Sequence, residues 1–360
     1  MKHCSLEAPP WVYRRLFGTQ ASEAFSSCPQ LAAWRAAEPD APHEHLDLRR
    51  LRGQDETWLF SVRLRAARNL EAGAFQDACE WTYDRLRREI LALPDGDRPW
   101  QVLRLWNFIP HILAPLGDLE HRYMVFNAGR YRAMERWLDD MENVATASGV
   151  GHFGGDFVVH CLVGRDAGQA VENPRQIPAY RYSQRYGPLP PCFARATRIH
   201  PDQAPETDAR LLIGGTAAVR GEDSLHPEDL DAQLHETLVN LAAVTRAALS
   251  SEAPSAGSRT PGAAPEGRAL TPLRAFESVR VYYVRPEDRQ RIADVLRRRL
   301  PDGTEIELRH AELCRPELLV EIEAVADLSL LQGTTAEDKA EARATEAGGE
   351  IGSLRSRLAV

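Results

Sequence analysis

Two carboxylates stand two residues apart in an otherwise apolar run near the end of the chain: LLVEIEAVA (318–326) carries Glu321 and Glu323. Side chains alternate along a strand with period 2, so both share one face. A carboxyl group taken out of water there stays protonated near neutral pH and can serve as a general acid. The alternative for both is solvent exposure or pairing with arginine. A second stretch, VENPRQIPAYRYSQRYGPLPPCFARA (171–196), holds three tyrosines, five prolines and four arginines in 26 residues. Its prolines resist helix formation and favour an extended path. Guanidinium forks grip carboxylates through paired hydrogen bonds, and phenols add flat walls with a donor. Tyr180, Tyr186 and Arg195 are therefore candidate contacts for a planar anion, with Arg122 of DLEHRYMVFNAGR (118–130) a further one. For each arginine a solvated or ion-paired structural role is equally open.

Other chemistries find no residues in pattern. The six cysteines (Cys4, Cys28, Cys79, Cys161, Cys192, Cys314) form no Cys-x-x-Cys pair, which disfavours a zinc site or a disulfide framework. His152, His160 and His226 are isolated, so neither metal ligation nor a nucleophile–base pair is expected. His226, just ahead of Pro227, is expected to help cap a helix. No glycine-rich phosphate loop stands at a strand–helix turn and GxxxxGK[ST] is absent, against a dinucleotide or P-loop enzyme. A net charge of −8 argues against non-specific nucleic-acid binding. Lys2 and Lys339 are the only lysines, so any anion site rests on arginine. No signal-like segment is found and no run approaches the ~18 apolar residues of a membrane span, so a cytoplasmic protein that binds no membrane is expected.

These residues need elements to hold them. Residues 1–50 read as irregular. An N-terminal domain over 51–170 follows, with strands at 57–66, 100–112 and 152–164 and helices at 75–93 and 118–141. The order repeats over 171–327: strands at 194–199 and 209–221, a helix at 226–249, a strand at 276–284, a helix at 286–300, and strands at 304–313 and 317–326. A Ser/Gly/Pro/Ala linker (250–272) interrupts this half, and 328–360 is a charged tail, helical or mobile. The expected class is α+β, two halves each with helices on one face of a mixed sheet.

The run RLLIGGTAAV, QLHETLVNLAAV, SVRVYYVRPED, LLVEIEAVA resembles the YjgF/Rid superfamily. In its imine deaminases an arginine on the strand before the last holds the substrate carboxylate. Here TEIELRHAEL puts Ile306 at that place between Glu305 and Glu307, with Arg309 close by, which speaks against simple imine deamination. A wider set, LRLWNFIPHI, DLEHRYMVFNAGR, the 171–196 stretch, LLIGGTAAVRGEDSLHPEDLDAQLHETLVN and LLVEIEAVA, resembles the chorismatases, whose N-terminal half is itself Rid-like. That resemblance implies removal of pyruvate from chorismate without a cofactor or metal. It implies Glu321 as the acid, with Glu323 the substitute. It implies that Gly214 and Cys314, seven before Glu321, select 3-hydroxybenzoate over a dihydroxycyclohexadienoate; otherwise Cys314 is a small buried hydrophobe. Cys192 receives no role. The alternatives are a bifunctional enzyme that also forms 4-hydroxybenzoate, the hydrolytic type, and a non-catalytic Rid-like binding protein. Rid relatives also imply a homotrimer, unless the internal duplication supplies the interface within a monomer.

Overall fold

The computed structural model describes residues 6–17, 35–36, 46–53, 56–165, 167–200, 209–249 and 270–331. Most of the 250–272 linker and of the 328–360 tail lies outside the described residues. Helix α1 (Pro10–Phe17) precedes β1 (Arg35–Ala36), β2 (Leu46–Arg52), β3 (Trp58–Leu64), α2 (Ala72–Leu91), β4 (Gln101–Pro110), α3 (Arg122–Trp137), β5 (Ala147–His152) and β6 (Phe157–Gly164). The second half comprises β7 (Ala167–Val171), β8 (Ala196–His200), β9 (Arg210–Thr216), the hairpin β10 (Val219–Arg220) and β11 (Asp223–Ser224), α4 (Leu230–Ala247), β12 (Phe276–Tyr283), α5 (Arg289–Arg299), β13 (Glu305–His310) and β14 (Val320–Asp327).

The two large sheets run in the orders β1-β2-β3-β6-β4-β5 and β13-β12-β14-β9-β8-β7. Reversed, the second order matches the first strand for strand. In each, one parallel pair (β4 with β5, β12 with β13) lies at an edge, and the last strand inserts into the middle. The chain is thus α+β and internally duplicated, two halves of the same strand order in one polypeptide.

Central position explains the apolar runs. Every residue of β6 is buried, and so is β14 as far as its last residue. Helices α2 and α3 cover one face of the first sheet through Phe75, Tyr83, Leu86, Val125 and Phe126. Helices α4 and α5 cover the second through Leu234, Leu238, Leu241, Ile292 and Leu296. The faces away from the helices meet each other: Leu59, Phe108, Val158 and Leu162 pack with Leu212, Tyr282 and Val325, and Val12 and Leu16 of α1 join them. Burial of this third core welds the halves together, at ~25 cal/mol per Å² of apolar surface removed from water.

Several elements depart from the sequence reading. The 1–50 segment, read as irregular, supplies α1 and most of β2. Strand β5 was hidden by its composition, since ASGVGH is rich in the small residues that mark turns. His226 does not cap a helix side chain to backbone. Asp229 does so, accepting from Ala232 N at 3.0 Å, while the His226 carbonyl takes Gln233 Nε2 at 3.0 Å. No helix among the described residues is long and apolar enough to cross a membrane.

Candidate active site

A cavity of about 370 Å³ opens where the two halves meet, within the ~300–1,000 Å³ usual for small-molecule sites. The first half contributes Tyr123 and Met124 from the start of α3 and Ser148 and Gly149 from β5; the second contributes the 176–195 stretch, β9, Cys314, Arg315 and Glu321.

Glu321 lies on β14 opposite Tyr282 of β12, and is 5% exposed. Desolvation pushes its carboxyl up to about 8; the Glu323 charge adds to this, and Arg104, Arg195 and Arg315 oppose it. At pH 7 the group is therefore mostly a carboxylic acid facing the cavity. Glu323 is placed differently, although it shares the strand and face. It lies outside the cavity lining and accepts from Arg104 Nη2 (2.5 Å), Trp106 Nε1 (2.8 Å), Ser148 Oγ (3.2 Å) and Tyr282 OH (2.5 Å). Its oxygens are saturated by donors, so it has no free edge to offer a substrate.

Arg195 lines the cavity and is 6% exposed. Its Nη2 donates to Ile177 O at 3.0 Å and Tyr182 OH at 2.6 Å, and its Nε is buried without a partner. Tyr186 forms part of the wall, its hydroxyl anchored on Glu222 O at 2.6 Å. The Arg315 guanidinium stacks 4.0 Å from the Tyr186 ring centre and donates through Nη1 to Glu222 O (2.7 Å) and Ser224 Oγ (3.0 Å). Two arginines, Arg195 at 5.6 Å from the Tyr182 ring centre and Arg315 beside Tyr186, thus flank the buried acid. Cys314 is in the wall as well, and burial pushes its thiol up to about 12, so it is a neutral thiol rather than a thiolate.

Three residues singled out in the sequence sit elsewhere. Tyr180 is not part of the cavity; it packs on the first-half core beneath the Arg181 guanidinium, and its neighbour Tyr182 lines the site instead. Arg122 starts α3 but turns inward over Phe75, donating to Ala67 O (3.3 Å) and Arg68 O (3.1 Å), a structural clamp. It is Tyr123, one residue on, that reaches the cavity. Gly214 faces away: a Cβ there would meet Thr146 Oγ1 at 2.7 Å and Ala147 O at 3.0 Å. Strand alternation gives the cavity to Gly215, where a Cβ would fall 1.9 Å from Glu321 Oε1, and to Ala217. The sequence offered no marker for Ser148 or Arg315, which differ from their neighbours only in where the fold sends them. Among the described residues no three His, Cys, Asp or Glu side chains converge as metal ligands.

Duplication did not produce two equal sites. Matching the bulges at Val102/Arg104 and Phe276/Ser278 aligns Phe108 with Tyr282, so Val158 stands where the second half has Glu321, and His160 where it has Glu323. His160 is locked between Ser61 Oγ and Leu6 O, each at 2.7 Å. Glu7, next in the chain, binds Arg49 at 2.7 Å. Val12 and Leu16 of the N-terminal segment share the apolar cluster that holds Val158.

Comparison with known proteins bears on this arrangement. Residues 32–163 match the family "Chorismatase FkbO/Hyg5-like, N-terminal". A 3-hydroxybenzoate synthase of Streptomyces hygroscopicus is 34% identical over 62% of this chain and 63% of that protein, so the match spans less than two thirds of the relative. A chorismatase of Streptomyces rapamycinicus is 31% identical over 85% of this chain and 84% of its own length. A crystal structure of a chorismatase superposes with a TM-score of 0.63 at 26% identity, covering 78% of this chain and 77% of the other. Similarity that runs through both halves and across the junction holding the buried acid places this chain in the chorismatase family.

Proposed function

We propose that the chain converts chorismate to 3-hydroxybenzoate and pyruvate, with Glu321 as the proton donor. The observation that carries the reading is a carboxyl held in its acid form on the wall of a cavity flanked by two arginines. Chorismate is a dianion, so Arg195 and Arg315 supply the charge complement, and the Tyr182 and Tyr186 rings supply flat walls for its ring. Glu321 protonates the enolpyruvyl methylene, leaving an oxocarbenium centre at C2′ and a carboxylate on the enzyme. The C4 oxygen then bonds to C3 as the C3–O ether bond breaks, so pyruvate departs and the C4 hydroxyl proton is lost. The resulting 3,4-arene oxide opens at C4–O, its oxygen stays on C3 and is protonated, and loss of the C3 proton restores the aromatic ring. Glu321 recovers a proton, and no net water is consumed. Cys314, as a neutral thiol beside the acid, is placed to assist proton movement during ring opening.

The test is product analysis. Chorismate incubated with the protein in ¹⁸O-labelled water should yield pyruvate and unlabelled 3-hydroxybenzoate. A labelled or non-aromatic diene product would favour hydrolysis, 4-hydroxybenzoate beside the 3-isomer would show a bifunctional enzyme, and no pyruvate release would sink every enzymatic reading. The relatives' names support chorismate as substrate, and the relative named a 3-hydroxybenzoate synthase, with Cys314 in the cavity wall, supports the product choice.

A further inference from the structure

Glu323 is a buried carboxylate that the proposed reaction does not use directly, yet four side-chain donors converge on it. Its donors come from both halves: Arg104 and Trp106 from β4 and Ser148 from β5, against Tyr282 from β12. Arg104 is itself fixed by Leu105 O at 3.0 Å and Ser148 Oγ at 2.5 Å, and lies 5.0 Å from the Trp106 ring centre. Ser148 Oγ in turn receives Gly215 N at 3.0 Å. Gly215 is the residue against which the end of the Glu321 side chain rests, since a methyl group added there would fall 1.9 Å from Oε1. A continuous chain of bonds thus runs from Glu323 through Ser148 to the floor under Glu321, and Glu321 sits two residues, ~7 Å, along the same strand face.

We infer that Glu323 is a positioning residue, a fixed anion that keeps Glu321 in its protonated form and braces its carboxyl, so that proton delivery depends on the docking of the two halves. This inference rests on the reading of Glu321 as the acid. A like charge nearby disfavours ionisation of a carboxyl, and the short path between the two is buried and weakly screened. The charged and titratable groups facing Glu321 from the packed elements are Glu323 of β14, Arg104 of β4, Tyr123 of α3, Tyr282 of β12, Arg195 before β8, and Cys314 and Arg315 before β14. Among the charges, Glu323 acts first to hold the proton on, and Arg104 first to draw it off.

Opposite effects from the two members of one ion pair distinguish this role from a merely structural one. The experiment is the pH profile of pyruvate release for wild type, Glu323→Gln, Glu323→Asp and Arg104→Met, each checked for folding by its thermal melt. Activity requires protonated Glu321 and falls along a basic limb. Glu323→Gln should move that limb down by about one pH unit or more, which is a roughly tenfold loss on the old limb. Glu323→Asp keeps the charge and should leave the limb near its wild-type place, and Arg104→Met should move it up. If Glu323→Gln does not fold, the double variant Arg104→Met with Glu323→Met removes the whole pair, and its limb should still move down, by less. A reduced rate with the limb unmoved in Glu323→Gln, or in the double variant, overturns the inference. Absence of turnover in wild type would instead defeat the functional reading. The inference would then be read from the infrared carboxylic-acid band that Glu321→Gln removes. That band should titrate lower in Glu323→Gln, and an unchanged titration would overturn the inference.

Discussion

Replacing Glu321 with glutamine should make the protein inactive and more stable at the same time. Its carboxyl ordinarily ionises near 4.5, and burial raises this to about 8 in the folded chain. Between these values the folded state holds a proton that the unfolded state has released, so stability falls as pH rises through the window and levels off above about 8. At pH 7 that spans some two and a half pH units from 4.5, and at ~1.4 kcal/mol per unit the acid costs the fold about 3 kcal/mol. Glutamine, neutral in both states and similar in shape, carries no such penalty. Calorimetric melts of both proteins at pH 4, 7 and 8.5 should show near-equal stability at pH 4. The variant should gain about 3 kcal/mol at pH 7 and more at pH 8.5, read as a Tm rise of a few degrees. Pyruvate release should drop by ~10²–10⁴-fold, the usual contribution of general acid catalysis. A stability difference that does not change with pH would refute the argument that this carboxyl is buried and neutral. Retained turnover would move the acid to another residue.

Gly215→Ala should displace the Glu321 carboxyl and cut turnover more than tenfold while the melt stays close to wild type. Gly214→Ala should instead lower stability by ~1–3 kcal/mol, because its methyl presses on the Ala147 and Arg195 carbonyls rather than into the cavity; a comparison of kcat and melting temperature separates the two. Arg122→Leu should cost ~1–3 kcal/mol through the unpaired Ala67 and Arg68 carbonyls and leave KM for chorismate unchanged, whereas Arg315→Gln should raise KM with little loss of stability. Cys314, with its thiol pushed up to about 12, should react with iodoacetamide at pH 8 far more slowly than a free thiol of ordinary pKa; rapid alkylation in the native state would contradict the neutral thiol.

The asymmetry of the two halves shows how a duplicated fold carries the buried acid at one of two matched positions. Both central strands are apolar because helices cover one face and the partner sheet the other. Within that frame a single exchange, Val158 for Glu321 at matched register, separates packing from acid chemistry. On the side without the acid, Val12 and Leu16 pack in the cluster that holds Val158, and Glu7 pairs with Arg49.

Much of this was legible in the chain itself. Period-2 and period-3.6 patterns located the long helices and the buried strands, since the periodicity of a pattern follows from which face must be dry. The pairing of Glu321 with Glu323 in LLVEIEAVA marked the strand that mattered, and the tyrosine- and arginine-rich 171–196 stretch marked one wall. What the one-dimensional pattern could not contain was direction across the junction. Tyr180 and Tyr182 are chemically alike in sequence, and only the turn at Ala179–Arg181 sends the second to the cavity. Gly214 and Gly215 differ only in which side of β9 they occupy. Glu321 and Glu323 look interchangeable until Arg104, Trp106 and Ser148, more than 170 residues away in the chain, consume one and leave the other free. Local composition determined which residues had to be buried. The docking of the halves decided which buried carboxyl kept its proton, because desolvation and the placement of neighbouring charges are properties of three-dimensional packing, not of neighbours along the chain.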